Sequence, residues 1–310
     1  MTSNRQTILG ANGTIGSLLA TELRTYTDQV RLVSRNPRRS HESDELLPLD
    51  LSLPGQVEKA VEGSSVVYLA VGFEYKLKVW QELWPRLMRE TLDACAKHDA
   101  KLVFFDNVYM YGRSALSRMT EESPLDPSSR KGEVRLLIAQ MLMDECRKGK
   151  VEGLIARSAD FYGPKNQKSF LTELVYKNLL KGSKASWFAN ADKLHSFTYT
   201  PDAAKATALL GNTDDAYGQV WHLPTDSQTL TGRQMASLFA SEMGVEKGVS
   251  TLPTWLIRVL GIFMPIMHEL SEMLYQYDRD YVFDSSKFDQ RFPFQKTTYA
   301  QGVNATVTAK

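Results

Sequence analysis

The sequence predicts an α/β protein built on a doubly wound parallel sheet, with a smaller second domain interleaved with the first. Short apolar runs alternate with longer amphipathic stretches through the first 160 residues, and parallel strands need such crossover helices between them. Three glycines separate the first run from the first amphipathic stretch, which is typical of a tight turn from strand into helix. Beyond residue 160 the alternation loosens without any low-complexity linker. The second domain is therefore expected to share the chain with the first.

Six short runs in the first half are the predicted strands of this sheet, because they are apolar or β-branched and end at turn residues. They cover residues 7–9, 30–33, 46–49, 66–71, 101–105 and 153–156. The stretches between them predict helices over 14–26, 54–62, 76–98 and 132–147. In the second half, 196–201 and 218–223 are predicted strands, and 230–243 and 252–278 predicted helices. This pattern assigns residues 1–157 and 192–224 to the sheet domain, and residues 158–191 and 225–310 to the smaller domain.

Composition excludes several classes of partner. The chain has 310 residues, 43% hydrophobic and 24% charged, with a net charge of +1, so bulk electrostatics favours neither nucleic acid nor an anionic membrane. No signal peptide is expected, and the apolar stretch Trp255–Met267 is shorter than a membrane span. Two cysteines and five histidines have no metal-ligand spacing. We expect a cytoplasmic protein with no metal, acting on a small-molecule substrate.

The glycine turn is the strongest local signal in the chain. In "TILGANGTIGSLLA", Gly10 permits the tight turn, Gly13 the close approach of a pyrophosphate, and Gly16 the packing of helix on strand. The N–H groups and positive dipole end of the following helix attract an anion. The turn predicts a dinucleotide site that includes Gly10, Asn12, Gly13, Thr14, Ile15 and Gly16.

The Gly-x-x-Gly-x-x-Gly spacing resembles the short-chain dehydrogenase/reductase superfamily, and within it the extended NAD-dependent epimerase/dehydratase branch. "LDLS" (49–52) is similar to the family's adenine-holding pair, here Asp50 and Leu51. "LAVG" (69–72) resembles the segment that lines the phosphates and ribose, which implies Ala70, Val71 and Gly72. "ARSADFYGP" (156–164) and "HSFTYTPDAAKA" (195–206) resemble the family's later conserved segments. The resemblance implies a Rossmann sheet, a nicotinamide cofactor and, since members are often dimers, a homodimer.

The residues after the second predicted strand indicate which dinucleotide is bound. A protein that prefers NAD(H) usually places an acidic residue there to bind the ribose 2′-hydroxyl. This chain has "VSRNPRR", and a guanidinium binds a 2′-phosphate through paired donors. We therefore predict NADP(H) in preference to NAD(H), with Arg35 as the phosphate ligand; a solvated basic turn is the alternative.

The positions that carry the family's catalytic groups depart from its pattern. Asp106 and Asn107 replace the two serines after the fifth strand, and Tyr111-Gly112 matches the family's Tyr-Gly. Aligned through Pro127 and Gly132, Lys131 stands at the catalytic tyrosine position and Arg135 at the lysine position. The resemblance to family dehydratases places Val108 and Tyr109 at the positions of an acid and a base.

We therefore predict an oxidoreductase, NAD(P)-dependent, that acts on a carbonyl or alcohol of a small substrate. Tyr109 or Lys131 would transfer the proton, Asn107 would hydrogen-bond the reacting oxygen, and Arg135 would hold the nicotinamide ribose. Tyr111 is expected to pack beneath the turn. The aromatic stretch 72–84 is either core or a wall of the substrate cavity. The alternatives are a catalytically silent NADP-binding redox sensor and, with less support, a nucleotide-sugar epimerase.

Overall fold

The computed structural model describes residues 4–167 and 169–309. The strands in this part of the chain are β1 (Gln6–Leu9), β2 (Val30–Ser34), β3 (Glu45–Pro48), β4 (Val66–Leu69), β5 (Lys101–Asp106), β6 (Gly153–Arg157), β7 (Asp160–Tyr162), β8 (Ala185–Phe188), β9 (Phe197–Tyr199), β10 (Val220–His222) and β11 (Val249–Leu252).

The α-helices of the same part are α1 (Thr14–Glu22), α2 (Val57–Val61), α3 (Leu77–His98), α4 (Arg130–Arg147), α5 (Lys177–Leu180), α6 (Thr200–Gly211), α7 (Gly232–Glu242), α8 (Thr254–Phe263), α9 (Pro265–Ser271), α10 (Ser286–Arg291) and α11 (Tyr299–Thr308). A π-helical turn covers Leu171–Tyr176. Within the described residues, no helix is both long and apolar enough to span a bilayer.

The chain divides into two compact units. The first comprises the described residues up to Asn107 with Glu133–Arg157 and Ala203–Leu223, and the second comprises Val108–Gly132, Ser158–Asp202 and the described residues from Pro224 onward. The units differ from the predicted domains at three places: residues 108–132, residues 192–202 and residue 224 group with the second unit.

The first unit contains the predicted parallel sheet. Its seven strands follow the order β10-β6-β5-β4-β1-β2-β3, and every neighbouring pair is parallel. The chain order reverses direction between β1 and β4, the point at which such sheets bind ligands beyond the carboxyl ends of their strands. Strands β1, β4 and β6 are buried along their whole length, as expected for parallel strands covered on both faces. The predicted doubly wound fold is confirmed.

The second unit is held together by aromatic packing around two short parallel strand pairs, β8 with β11 and β7 with β9. Its main core surrounds Trp187, Phe239 and Tyr299. Helices α7 and α11 each begin with a capping box, in which Thr231 pairs with Gln234 and Thr298 with Gln301. These reciprocal bonds satisfy N–H groups that a helix start otherwise leaves open.

Several predicted helices are shorter in the structure, and two of them show the largest changes. The stretch 54–62 is helical only over Val57–Val61. The stretch 252–278 breaks into α8, α9 and a 3₁₀ turn over Leu274–Gln276. The first break falls at Pro265, which has no N–H to donate to the preceding turn and therefore begins a new helix.

Candidate functional site

The glycine turn of the first unit has the backbone conformation that the spacing predicts. Gly10 has a φ of +94°, and a Cβ there would lie 2.7 Å from the Ala70 oxygen and 2.8 Å from Val71 Cα. A Cβ at Gly16 would contact the backbone oxygen of Gly10. Larger residues are therefore excluded at both positions, because the turn packs directly on the segment after β4 and on the start of its own helix.

The N-terminus of α1 is open to an anion. Its N-cap is Gly13, which supplies no side-chain hydrogen bond, and its first turn carries no acidic residue. The first intrahelical bond runs from the Ser17 N–H to the Gly13 oxygen, so the N–H groups of Thr14 and Ile15 precede the helical ladder. These groups suit a pyrophosphate.

The loop after β2 is tied to the glycine turn by Asn12. The side-chain amide of Asn12 donates to the Asn36 oxygen at 2.6 Å and accepts from the Arg38 N–H at 3.3 Å. Arg35 is exposed, and the Ser34 hydroxyl is buried without a hydrogen-bond partner among the described residues. A buried hydroxyl in that state fits a missing polar ligand, so Ser34 and Arg35 together suit a ribose phosphate. Sequence reasoning missed Ser34, because its signal is an unsatisfied hydroxyl rather than a motif.

The remaining predicted dinucleotide residues lie at the same edge of the sheet. Asp50 and Leu51 follow β3, and Ala70, Val71 and Gly72 follow β4. The Asp50 carboxylate accepts from the Ser52 hydroxyl at 2.6 Å and from the Ser52 N–H at 3.0 Å. These bonds, with a smaller contribution from Arg35, lower the pKa of Asp50 below its usual value. A Cβ at Gly72 would meet nothing within 4 Å. Their contact with a dinucleotide stays a prediction.

Arg135 is bound within the first unit. Its Nε donates to Asp106 Oδ1 at 2.8 Å, and its Nη2 donates to the same oxygen. Arg157 Nε lies 3.5 Å from the other oxygen of this fully buried carboxylate. The Arg135 guanidinium also lies over the Trp84 ring, 4.5 Å from its centre. The structure therefore shows Arg135 bound to Asp106. Its contact with the nicotinamide ribose stays a prediction.

The aromatic stretch of the first unit contributes to the same packing. Trp80 and Trp84 are buried, and Trp84 makes an edge contact with Phe73 at 5.0 Å between ring centres. Tyr75 contacts Trp80 in the same way at 5.5 Å. The two tryptophans are thus core residues, whereas Phe73 and Tyr75 are partly exposed and can still form a cavity wall.

Lys131, in the second unit, is fully buried. Its Nζ donates to Glu272 Oε1 at 2.7 Å, to the Glu269 backbone oxygen at 3.1 Å, and to the Glu269 carboxylate. Glu272 also accepts from the Arg130 N–H at 2.9 Å. The ammonium therefore fastens the start of α4 to α9. That Lys131 transfers a proton stays a prediction.

The two tyrosines of "DNVYMYG" have different environments. Tyr111 is fully buried, as expected for a residue that packs beneath the turn. Tyr109 is only partly buried. Its charge helps to raise the pKa values of Tyr277 and Tyr281, so the Tyr109 hydroxyl lies in electrostatic range of both phenols. Asn107, which precedes it as the last residue of this part of the first unit, donates its backbone N–H to Asp106 Oδ1 at 2.8 Å.

A buried aromatic cluster in the second unit was not predicted as a site. The His195 ring stacks on Tyr281 at 4.2 Å and on Tyr277 at 4.9 Å between centres. Asp160 Oδ2 lies 3.0 Å from His195 Nε2 and accepts from the Tyr277 hydroxyl at 2.9 Å. Burial first, then the charges of Asp160 and Tyr109, raise the pKa values of Tyr277 and Tyr281 well above their usual range. Asp160 begins β7, and His195 stands two residues before β9. Nothing in the sequence connects these two distant positions, so the sequence signal for the cluster was weak.

No group of three or more histidine, cysteine, aspartate or glutamate residues in the described chain is arranged to hold a metal ion. Both cysteines are free thiols.

Solved structures share this fold. A dTDP-glucose 4,6-dehydratase from Streptomyces venezuelae, with NAD and TYD bound, is 17% identical and has a TM-score of 0.79 over 98% of this chain and 95% of that chain. A UDP-glucuronic acid 4-epimerase from Bacillus cereus, in complex with UDP-glucuronic acid and NAD, is 16% identical with a TM-score of 0.79 over 98% of each chain. Identities this low show the common fold.

Sequence comparison finds a curated relative and a family. The uncharacterized protein y4nL of Sinorhizobium fredii is 26% identical over 173 residues, which are 50% of this chain and 48% of that protein. This chain thus aligns with about half the length of that relative. The NAD dependent epimerase/dehydratase family matches residues 7–223. Because this match covers most of the chain, including the glycine turn and all seven strands of the sheet, the protein belongs to the NAD dependent epimerase/dehydratase family.

Proposed function

We propose that this protein is a nicotinamide-dinucleotide-dependent oxidoreductase that acts on a carbonyl or alcohol of a small substrate in the cytoplasm. The observation that carries the proposal is the polar cradle at the sheet edge of the first unit. It combines a glycine turn without room for side chains, an uncapped helix start and an unsatisfied buried hydroxyl at Ser34. Each of these is a feature that a bound dinucleotide would satisfy.

The chain's own residues have separate tasks in this proposal. The N–H groups at the start of α1 hold the pyrophosphate, and Ser34 with Arg35 holds a ribose 2′-phosphate, which favours NADP(H) over NAD(H). The bound nicotinamide supplies or accepts the hydride. Tyr109 holds the proton that moves to or from the substrate oxygen, and the Asn107 amide donates a hydrogen bond to that oxygen.

Cofactor titration tests the proposal directly. The intrinsic fluorescence of the protein is measured against NADPH and NADH, with Arg35→Asp as the variant and Arg147→Asp, at the exposed end of α4, as the control of equal charge change. A charge-assisted paired contact is worth about 1.5–3 kcal/mol, so NADPH should bind roughly tenfold or more tightly. Arg35→Asp should reverse that order and Arg147→Asp should not. Equal affinities for the two dinucleotides would refute the NADP(H) preference, and absence of binding to either would refute the proposed function.

One observation favours a second candidate, a catalytically silent dinucleotide-binding redox sensor. The three charged residues aligned with the family's catalytic groups are all held in buried ion pairs: Asp106 and Arg135 with each other, and Lys131 with two glutamates. A silent protein would bind the dinucleotide but transfer no deuterium from labelled NADPH to any aldehyde, ketone or enone in a broad panel. It would also bind a partner differently in the two redox states. Measurable deuterium transfer would exclude the sensor.

A further inference from the structure

The helical hairpin of α8 and α9 in the second unit ends in an apolar tip, which consists of residues 262–266. All five side chains of the tip are exposed: Ile262, Phe263, Met264, Pro265 and Ile266. Ile262 and Phe263 are 76% and 79% exposed. Single exposed apolar side chains are common on protein surfaces, but a contiguous patch of large ones marks an interaction site.

Helix α8 is apolar on both of its faces. Ile257 is fully buried, in a small core that includes Phe188. The opposite face carries Trp255, Val259 and Ile262, which are four and three positions apart and are all exposed, so they form one stripe along the helix. A surface helix normally carries polar residues on that face. The stripe therefore extends the apolar surface of the tip along α8.

The base of the hairpin is held in place by the second unit. A Cβ at Gly261 would lie 3.1 Å from the backbone N and Cα of His268, so the two helices pack closely just below the tip. At the other end of α9, Glu269 and Glu272 bind the buried Lys131 ammonium. The apolar tip is thus presented on an anchored base.

The shape of the tip indicates what covers it. Successive residues of a helical turn point about 100° apart, yet all five consecutive residues of the tip are exposed. The apolar surface therefore runs around the bend and is convex. A second copy of the chain would cover only the side of the tip that it meets, whereas a fluid bilayer surrounds a convex apolar tip completely.

The charges near the tip favour an anionic bilayer. Residues 247–268 contain no aspartate or glutamate, and they include two cations, Lys247 and Arg258. Arg258 is exposed and lies one helical turn from both Trp255 and Ile262, so its charged end can reach headgroup phosphates from the apolar stripe. Tryptophan is enriched at the same depth of a membrane. The net charge of the whole chain gives no indication of this local distribution.

We propose that the apolar tip docks this protein on the surface of an anionic lipid bilayer, with the tip among the acyl chains and Trp255 and Arg258 at the level of the headgroups. Helix α8 has 10 residues and is about 15 Å long, half the roughly 30 Å thickness of the hydrocarbon core. The hairpin therefore enters one leaflet. This inference goes beyond the proposed function and does not depend on it, because docking requires neither dinucleotide nor substrate.

Vesicle binding by the full-length protein tests the docking. Vesicles made of equal parts phosphatidylcholine and phosphatidylserine are compared with vesicles of phosphatidylcholine alone, and the bound fraction is measured by co-sedimentation. One variant combines Ile262→Ser with Phe263→Ser, and a second is Arg258→Gln. The control is Leu180→Ser at the end of α5, which also removes an exposed apolar side chain of the second unit.

The wild type should bind the anionic vesicles more tightly than the neutral ones. The double variant should weaken this binding at least tenfold, because two apolar side chains no longer leave water. Arg258→Gln should weaken it about fivefold, the contribution of one cation at an anionic surface. Leu180→Ser should not change it. Thermal unfolding of each variant checks that it is folded.

Tryptophan fluorescence reports whether the tip enters the bilayer. Trp80, Trp84, Trp187 and Trp221 are buried, whereas Trp255 is 63% exposed. Anionic vesicles whose lipids carry bromine on their acyl chains should therefore quench the fluorescence of the wild type. Trp255→Phe should bind the same vesicles without being quenched.

Three results would overturn the docking: no binding of the wild type to anionic vesicles, equal binding to anionic and neutral vesicles, or a double variant that binds as tightly as the wild type. A second copy at the tip would give a different pattern. The wild type would then be a dimer in sedimentation-velocity ultracentrifugation and the double variant a monomer, and this result would also refute docking on a bilayer.

Discussion

Replacement of Lys131 by methionine tests whether this buried ammonium stabilises the fold or takes part in chemistry. Methionine has nearly the same length but cannot donate to Glu269 or Glu272. The three oxygens that surround the ammonium would lose their donor, and two carboxylates would face each other. Breaking a buried ion pair by removing one partner costs about 3–5 kcal/mol.

The side chains of Glu269 and Glu272 are 19% and 22% exposed, so water can replace part of the hydrogen bonding that their carboxylates lose with the ammonium. We therefore expect the lower end of that range, a decrease of about 3 kcal/mol in the free energy of unfolding. Urea titration followed by circular dichroism measures it. The triple variant Lys131→Met, Glu269→Gln, Glu272→Gln should recover most of the loss, because it leaves no unpaired charge.

A structural role for Lys131 would be refuted by a loss below about 1 kcal/mol, the size typical of exposed pairs. If the triple variant were no more stable than Lys131→Met, the unpaired charges of Glu269 and Glu272 would not be the cause of the lost stability. If Lys131→Met were as stable as the wild type but lost hydride transfer, the lysine would be the proton donor and Tyr109 would not.

Three further predictions follow from single sites. Tyr109→Phe should lower the rate of hydride transfer by about 10²–10⁴ with little change in NADPH affinity, whereas Tyr111→Phe, at a fully buried site, should act on thermal stability instead. Gly16→Ala should destabilise the protein by about 1–3 kcal/mol in urea titration and weaken NADPH binding, because its Cβ would press on backbone; Gly248→Ala, with nothing within 4 Å, should stay within about 0.5 kcal/mol. Burial raises the pKa of Cys95 to about 12, so its thiol should resist alkylation at pH 8 until the protein is denatured.

The sheet could be predicted from sequence because strands buried on both faces are rich in apolar residues. The run 101–105 became β5, Lys101–Asp106, and the run 153–156 became β6, Gly153–Arg157. The second unit gave weaker signals. Strands such as β7 and β9 have three residues each, too few for any alternation to show.

The same contrast holds within the candidate site. The glycine turn could be predicted because its requirements are local: a positive φ at Gly10 and close packing at Gly16. The partners of Lys131 lie 138 and 141 positions away, and no periodicity connects residues that distant. Its alignment with the family's catalytic tyrosine position predicted a catalytic role for Lys131. The role of Lys131 in the structure depends on Glu269 and Glu272, which the alignment does not show.

The ion pairs and the phenols bear on the proposal that Tyr109 transfers the proton. Lys131 and Arg135 are each bound to carboxylates, and release of either would leave a buried charge uncompensated, which is costly. Tyr277 and Tyr281 have pKa values well above their usual range, so both phenols keep their protons at neutral pH and do not act as bases. Tyr109 is partly exposed and lies in electrostatic range of the same phenols. Under the proposed function, its partial exposure and its neighbours support Tyr109 as the group that transfers the proton.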